Sequence, residues 1–208
     1  MANMCANVMC IYTYNKNEAN LKKVYNILKE NFTDYLSISE AVFHLRPDLS
    51  EKEIDKKLAQ YETRGWIDCD SDITYHDAAE GKPAYIQIYY QSKWTPTIEA
   101  WDLAIEPYGL EEVTIAEEPG CEVYINTDID HVFFTDKYLI DIYYDGNEEY
   151  PDGAEIHEYY SDLQDALADV NKYFNTDIQT KKQLETYIET LAKQHEEGWA
   201  NFAEFVAY

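Results

Sequence analysis

The acidic side chains of this protein are concentrated in one stretch, and that concentration restricts how the chain can fold. Residues 94–171 contain 21 acidic side chains and one basic one, Lys137, which gives the stretch a net charge of -20. The whole chain carries -25, whereas residues 1–60 hold eight acidic and eight basic side chains. Because like charges repel and oppose compaction, a folded chain must keep most of these carboxylates at its surface.

The rest of the composition is that of a globular protein rather than a disordered acidic tail. Of the 208 residues, 46% are hydrophobic and 15% aromatic, so the chain can bury a core. The first residues lack the basic segment and apolar run typical of a signal peptide, so none is expected, and no apolar run approaches the roughly 20 residues that span a bilayer. We expect a cytoplasmic protein whose four cysteines, Cys5, Cys10, Cys69 and Cys121, are reduced and buried.

The first third of the chain combines a strand with several helices. Residues 7–14 read as a strand, and apolar residues at helical spacing predict a helix from Asn17 to about Phe32. Within 33–68, Ser37 or Ser39 starts a short helix, and a second begins with the capping box of Ser50 and Glu53 and runs to about Tyr61. Two short helices followed by a strand at 66–68 outline a winged-helix-like module, and residues 69–83 are predicted to be a polar connector.

The remaining two thirds alternate strands and helices. Strands are predicted at 84–91, 111–116, 121–125 and 154–160, with one or two more within 132–144. Thr95 and Pro96 are expected to start a helix that Gly109 closes. Two more helices are expected to start at Ser161 and Thr180, and Trp199 and Phe205 are placed in a terminal turn docked on the core.

One pair of motifs resembles a known family. The segment Ser92-Lys-Trp-Thr-Pro-Thr-Ile98, followed by Glu117-Glu-Pro-Gly120, is similar to the YubB-like ferredoxin-fold proteins of phages and plasmids. The resemblance covers residues 8–32 and 84–126, and Thr97 stands where the family often has a second proline. It implies an α+β fold and an origin in a mobile element, but no catalytic residue.

We therefore expect an α+β protein in three parts. An antiparallel ferredoxin-like sheet with helices on one face would comprise residues 1–32 and 84–160. Residues 33–83 would form the helical, winged-helix-like insertion, and 161–208 would supply C-terminal helices packed on the core.

Motifs of catalysis are missing from the sequence, which contains no GxxxxGK[ST], GxSxG, HExxH or GxGxxG pattern. The five histidines are dispersed, so no zinc site is expected. Asp68, Asp70 and Asp72 match the start of a calcium loop, but Ile73 replaces its glycine and Ala79 its final glutamate. We expect neither an enzyme nor a bound cofactor.

The acidic residues interleaved with tyrosine are the strongest functional signal. The natural partner of a dense carboxylate surface is a basic one, and nucleic-acid-binding grooves are the commonest large basic surfaces in cells. The chain is thus predicted to be a phage or plasmid inhibitor, such as an anti-CRISPR protein, that occupies the groove of a host defence protein by mimicking nucleic acid. The candidate contact residues are Glu117, Glu118, Glu122, Asp128, Asp130, Asp141, Tyr143, Asp145, Glu148, Glu149, Asp152, Glu155 and Glu158.

Two alternatives stay open at this stage. The first is a DNA-binding regulator that uses the basic residues of the 33–68 segment, namely Arg46, Lys52, Lys56, Lys57 and Arg64. It requires those five side chains to share one exposed face. The second is a divalent-metal-binding protein that uses acidic residues within 68–77 or 128–145.

Overall fold

A computed structural model describes residues 4–14, 17–79, 81–146, 153–194 and 198–207. Within these ranges the protein is a mixed α+β structure with antiparallel sheets and six α-helices. The chain divides into two compact units, Met1–Phe133 with Ala207–Tyr208 and Phe134–Val206, which we call unit 1 and unit 2.

Unit 1 contains most of the regular structure. Its strands are β1 (Met4–Tyr12), β2 (Leu36–Ser37), β3 (Gly65–Ile67), β4 (Ile73–His76), β5 (Tyr85–Lys93), β6 (Glu111–Glu118) and β7 (Val123–Asn126). Its helices are α1 (Glu18–Asn31), α2 (Ile38–Leu45), α3 (Glu51–Leu58) and α4 (Ile98–Ile105). The strands form one antiparallel sheet in the order β2-β3-β5-β1-β6-β7, and β4 also pairs with β5.

The core of unit 1 lies between this sheet and its helices. Alternate residues of the paired central strands, such as Met9 opposite Ile88, point to the same side of the sheet. They join one hydrophobic cluster with Leu21, Val24 and Leu28 of α1. These three residues recur at the spacing that brings them onto one side of a helix, which explains why the amphipathic segment packs here.

Two serine caps fix the helices α2 and α3. The Ser37 hydroxyl accepts a bond from the Glu40 amide at 3.2 Å, while the Glu40 carboxylate accepts one from the Ser37 amide at 3.0 Å. In the second cap, the Ser50 amide donates to Glu53 at 2.9 Å. The predicted helix starts are confirmed, with Ser37 rather than Ser39 as the first cap, although α3 ends at Leu58 and not near Tyr61.

The segment 33–83 is integrated into the sheet of unit 1. The strand β3 pairs with β5, and a Cβ atom on Gly65 would lie 2.7 Å from the Gln91 carbonyl oxygen. Only glycine permits that approach. The prediction of a connector at 69–83 was wrong for β4, which continues along the same edge of β5 with Ile73 opposite Ile88. A short run of four residues after a cluster of aspartates gave too weak a strand signal.

The start of α4 was also predicted too early. Trp94 adopts a left-handed backbone conformation with φ of 68°, and the Thr95 amide bonds the Lys93 carbonyl at 2.9 Å. This turn delays the helix, so that Thr97 precedes its first residue. Gly109, with φ of 61°, ends the helical segment as expected.

Unit 2 is a separate three-stranded sheet with two helices. Its elements are β8 (Tyr138–Tyr144), β9 (Ala154–Tyr160), α5 (Leu163–Phe174), α6 (Lys181–Gln194) and β10 (Trp199–Glu204). The strands are antiparallel in the order β10-β8-β9. Ile140 and Ile142 of β8 belong to the same hydrophobic cluster as Leu167 of α5 and Leu184 and Ile188 of α6, so the helices cover one side of this sheet.

Unit 2 corrects three expectations. The range 84–160 does not form one core, because β8 and β9 pair with β10 rather than with the strands of unit 1. The terminal segment expected to be a turn is the strand β10, and the structure has one strand within 132–144. The cap of α5 is Asp162, one residue after the predicted Ser161, because the Asp162 carboxylate accepts the Gln164 amide bond at 2.6 Å.

Two further expectations concern the cysteines and the membrane. Cys5 and Cys10 are buried, but Cys69 and Cys121 are exposed, so the prediction of four buried thiols was half wrong. All four are free thiols. Of the helices in the described ranges, none has the length and apolar character needed to cross a bilayer.

Candidate binding surface

The sheet of unit 2 presents one side that α5 and α6 do not cover. Because strand residues alternate between sides, Asp141 and Tyr143 of β8 point away from the helix-facing Ile140 and Ile142. We call this side the open face. It consists of three short rows that run across β10, β8 and β9: Trp199, Tyr143 and Glu155; Asn201, Asp141 and His157; Ala203, Leu139 and Tyr159.

The first row combines two aromatic rings with carboxylates. The rings of Tyr143 and Trp199 are stacked, with centroids 4.8 Å apart and an interplanar angle of 27°. The Tyr143 hydroxyl donates a hydrogen bond to Asp145 at 3.1 Å, and this bond raises the pKa of the tyrosine. Glu155, directly opposite Tyr143 on β9, is exposed. The row therefore offers a flat apolar surface with negative charge on two sides.

The second and third rows are progressively less accessible. His157 lies 3.2 Å from Asp141 through Nδ1 and 3.2 Å from the Tyr159 hydroxyl through Nε2, which links the two rows. Leu139 and Ala203 in the third row are buried. The accessible part of the open face is consequently the end that carries Trp199, whose surface is 53% exposed.

Glu158 lies on the other side of the same sheet. It pairs with Ile140 and therefore points toward the side on which the helices pack, although it is exposed. There it contributes to an open groove of about 470 Å³ between β9 and α5, together with Asp169, Lys172 and Tyr173. Glu155 and His157 of the open face also line this groove, because β9 is an edge strand of the sheet.

The predicted residues of unit 1 are mostly not available for contact. Glu118 and Asp128 are each only 4% exposed. The Glu118 carboxylate accepts the Gly120 amide at 3.2 Å, and Asp128 accepts the Phe133 amide at 2.5 Å, so both acids organise turns. Their prediction as contact residues is corrected because both side chains are buried and each accepts a bond from a nearby backbone amide. Glu117 is half-buried, whereas Glu122 and Asp130 are exposed.

The predicted set is thus divided between the two units. Glu117, Glu118, Glu122, Asp128 and Asp130 belong to unit 1, and the candidates from Asp141 onward belong to unit 2. Glu148, Glu149 and Asp152 lie outside the described residues. Of the predicted residues, the structure brings four together on the open face: Asp141, Tyr143, Asp145 and Glu155.

Sequence reasoning missed the aromatic partners of these residues. Trp199 was assigned to a docked turn, and His157 and Tyr159 were not singled out. The available signal was the alternation of Trp199, Asn201 and Ala203 at a spacing of two. Phe202 and Phe205, at a spacing of three, favoured a helical turn instead.

The basic segment does not meet the requirement of the DNA-binding alternative. Arg46 is 5% exposed, where it donates to the Leu103 carbonyl at 2.8 Å and pairs with Asp48. Arg64 pairs with Glu62 and lies over the Trp94 ring, 4.6 Å from its centroid. Two of the five basic residues therefore hold the fold together, and the lysines of α3 are interspersed with three acidic residues.

Two of the acidic residues considered for metal binding, Asp70 and Asp72, have protein partners. Asp70 pairs with Lys29 at 2.7 Å, and the Asp72 carboxylate accepts the Cys69 amide at 3.0 Å. Over the described ranges, no group of three or more His, Cys, Asp or Glu side chains is arranged to hold a metal ion.

Comparison of the chain with protein-family models, with curated proteins and with solved structures finds no match in any of the three.

Proposed function

We propose that this protein binds a basic, nucleic-acid-binding protein and occupies the groove in which that partner holds DNA or RNA. The observation that supports this most is the open face of unit 2, on which Asp141, Asp145 and Glu155 surround a stack of the half-buried Tyr143 and the exposed Trp199. Interfaces favour aromatic side chains as anchors, and a surface of one charge attracts an oppositely charged partner rapidly.

The spacing of the carboxylates suits the role of a nucleic-acid mimic. Residues on one side of a strand are about 6.5 to 7 Å apart, and neighbouring strands lie about 4.8 Å apart. Phosphates along one DNA strand recur about every 3.4 Å of axial rise. A sheet edge and its turns can therefore place negative groups at separations that a phosphate-binding groove accepts.

The partner class follows from the proposed origin. We propose a phage- or plasmid-encoded inhibitor that acts in the cytoplasm of the host against a defence protein such as a CRISPR effector or a restriction enzyme. The YubB-like motifs at 92–98 and 117–120 support a mobile-element origin. No reaction and no cofactor is required, because occupation of the groove is sufficient.

We also propose a ferredoxin-like arrangement for the centre of unit 1 and a winged-helix-like character for the segment 33–83. Strand β1 lies between β5 and β6, α1 follows β1, and α4 connects β5 to β6. These pairings support a ferredoxin-like arrangement for the centre of unit 1. The order α2, α3, β3 supports a winged-helix-like character for the segment 33–83.

The experiment is a pull-down from a host that carries CRISPR or restriction systems, with the full chain as bait. We expect capture of a nucleic-acid-binding protein at low salt and its loss near roughly 0.5 M salt, where screening confines charge interactions to about 4 to 5 Å. Added duplex DNA should release the same partner.

A gel shift with duplex DNA provides the control. The protein should not retard DNA, because its net charge of -25 repels phosphates. Retardation of DNA by the chain, or a partner that DNA does not displace, would contradict the proposal. Retardation would favour the regulator.

A further inference from the structure

We propose that Trp199, Tyr143, Asp145 and Glu155 form a binding site for an arginine side chain of the partner protein. We call these four residues the aromatic–acidic site. This inference rests on the proposed function, because the guanidinium group would come from the basic groove that the protein occupies.

The ring stack has a flat shape and an exposed tryptophan, both of which suit a planar cation. Trp199 and Tyr143, on adjacent strands, stack with their ring centroids 4.8 Å apart, and 53% of the Trp199 surface is exposed. The ring face of Trp199 that is turned away from Tyr143 can attract a cation, because the faces of aromatic rings carry negative electrostatic potential. Asp145 and Glu155 add two carboxylates on the same open face.

Unit 1 contains the same combination with its cation in place. There the Arg64 guanidinium lies 4.6 Å from the centroid of the Trp94 ring while it pairs with the Glu62 carboxylate at 2.5 Å. Tryptophan, arginine and a carboxylate thus form one group within the chain. In the aromatic–acidic site the tryptophan and the carboxylates are present, and the cation is the component that a partner can supply.

Within the described residues no lysine or arginine lies over the rings of this site, although Lys172 lines the groove that Glu155 also borders. The cation–aromatic contacts there involve the rings of Tyr25, Tyr75, Trp94, Tyr108 and Phe133, and none involves Trp199 or Tyr143. The strand β8 itself carries no lysine, and Lys137, the residue before it, is roughly 20 Å from Tyr143 at about 3.4 Å per residue. The negative charge is therefore not neutralised locally by β8.

The chemistry favours arginine over lysine and over a nucleobase. A guanidinium is planar and weakly hydrated, so it can stack on the rings while its N–H groups reach carboxylate oxygens, whereas an ammonium ion is compact and strongly hydrated. Nucleobases also stack on exposed aromatic rings, but the adjacent carboxylates repel the phosphates that accompany them.

The test is a calorimetric titration of the full chain, at low salt, with a Gly/Ser peptide that carries alternating arginines. The lysine counterpart of the same length serves as the comparison. We expect the arginine peptide to bind about two- to five-fold more tightly, since an exposed cation–aromatic contact contributes on that scale. Trp199→Ala and Glu155→Gln should each weaken arginine binding, and Trp199→Ala should remove the preference for arginine.

Matched variants separate the site from the overall charge. Asp165→Asn removes an exposed carboxylate of α5 in the same unit, and Tyr35→Ala removes an exposed ring of unit 1. Asp165→Asn should weaken both peptides equally, and Tyr35→Ala should change neither. If Trp199→Ala lowers the folded fraction in circular dichroism, Trp199→Phe, which keeps a ring, should retain most of the arginine preference.

The outcomes distinguish the two proposals. Equal, salt-sensitive binding of both peptides that Trp199→Ala leaves unchanged overturns the arginine site while the proposed function stands. Absence of binding to either peptide overturns both. Tighter binding of single-stranded DNA than of the arginine peptide would show that the rings stack bases instead.

Discussion

Glu112 is the most unusual single residue in the described structure of unit 1. It pairs with Ile11 across the sheet, so its side chain points toward the helix-packed side, where the Thr114 hydroxyl donates to it at 2.7 Å. Burial raises the pKa of its carboxyl from 4.5 to about 7, and the nearby Asp102 adds to the effect. Burial likewise raises the pKa of Asp102.

This burial predicts that stability falls as the pH rises. Between about pH 4.5 and pH 7 the unfolded chain ionises Glu112 while the folded chain keeps it protonated. Each pH unit in that window lowers the free energy of unfolding by up to about 1.4 kcal/mol. Glu112→Gln should remove this slope and be more stable than the natural chain at pH 8, by up to about 3 kcal/mol.

Urea unfolding at pH 4.5, 6 and 8 measures this difference. The exposed Asp130→Asn is the control and should leave the slope unchanged. If Glu112→Gln and the natural chain keep the same difference in unfolding free energy at all three pH values, the carboxyl is not buried as described.

Arg46 shows that a count of basic residues in a segment does not give the charge at its surface, because this side chain is buried. In the sequence it is one of five basic residues in a short segment, and it reads as surface charge. In the structure its guanidinium bonds Asp48 and the Leu103 carbonyl, and this bonding raises the arginine pKa and lowers that of Asp48. A sequence gives the charge of a side chain, but it does not show which carbonyl, here 57 positions away, accepts its hydrogen bond.

Helices were predicted well because their signals are local. The capping boxes of α2 and α3 and the apolar spacing of α1 lie within a few residues of each helix start. Strand β4 was missed because four residues give a weak strand signal, and β10 was missed because its partner β8 is more than fifty residues away in sequence. The boundary between the units was missed for the same reason.

The cap of α2 allows a test at the scale of the element. Ser37→Ala should lower the free energy of unfolding by about 1 kcal/mol, because it removes the hydroxyl that accepts the Glu40 amide bond. Thermal or urea unfolding at neutral pH measures the loss.

Ser39→Ala is the matched control, since Ser39 is exposed and was the alternative cap in the sequence. It should change stability by less than about 0.5 kcal/mol. A larger loss for Ser39→Ala than for Ser37→Ala would place the start of α2 at the wrong serine.

For the whole molecule, the charge was predictable but its arrangement was not. The net charge of -20 over residues 94–171 is read directly from the sequence, yet it is divided between two units that the sequence did not separate. The carboxylates of Glu118 and Asp128 accept backbone amide bonds within turns, and Glu158 faces the helix side of its sheet. Four residues of the open face were predicted as contact residues from the sequence: Asp141, Tyr143, Asp145 and Glu155. Trp199 was not, because it joins them only through a strand pairing across more than fifty residues.

If the protein mimics nucleic acid, it must compete with DNA or RNA for the same groove of one basic partner. The direct measurement is the dissociation constant of the captured partner over a series of salt concentrations, with and without duplex DNA. We predict that log affinity falls linearly with log salt concentration and that DNA and the protein exclude one another. A stable complex of partner, DNA and protein together, with an affinity indifferent to salt, would contradict the account.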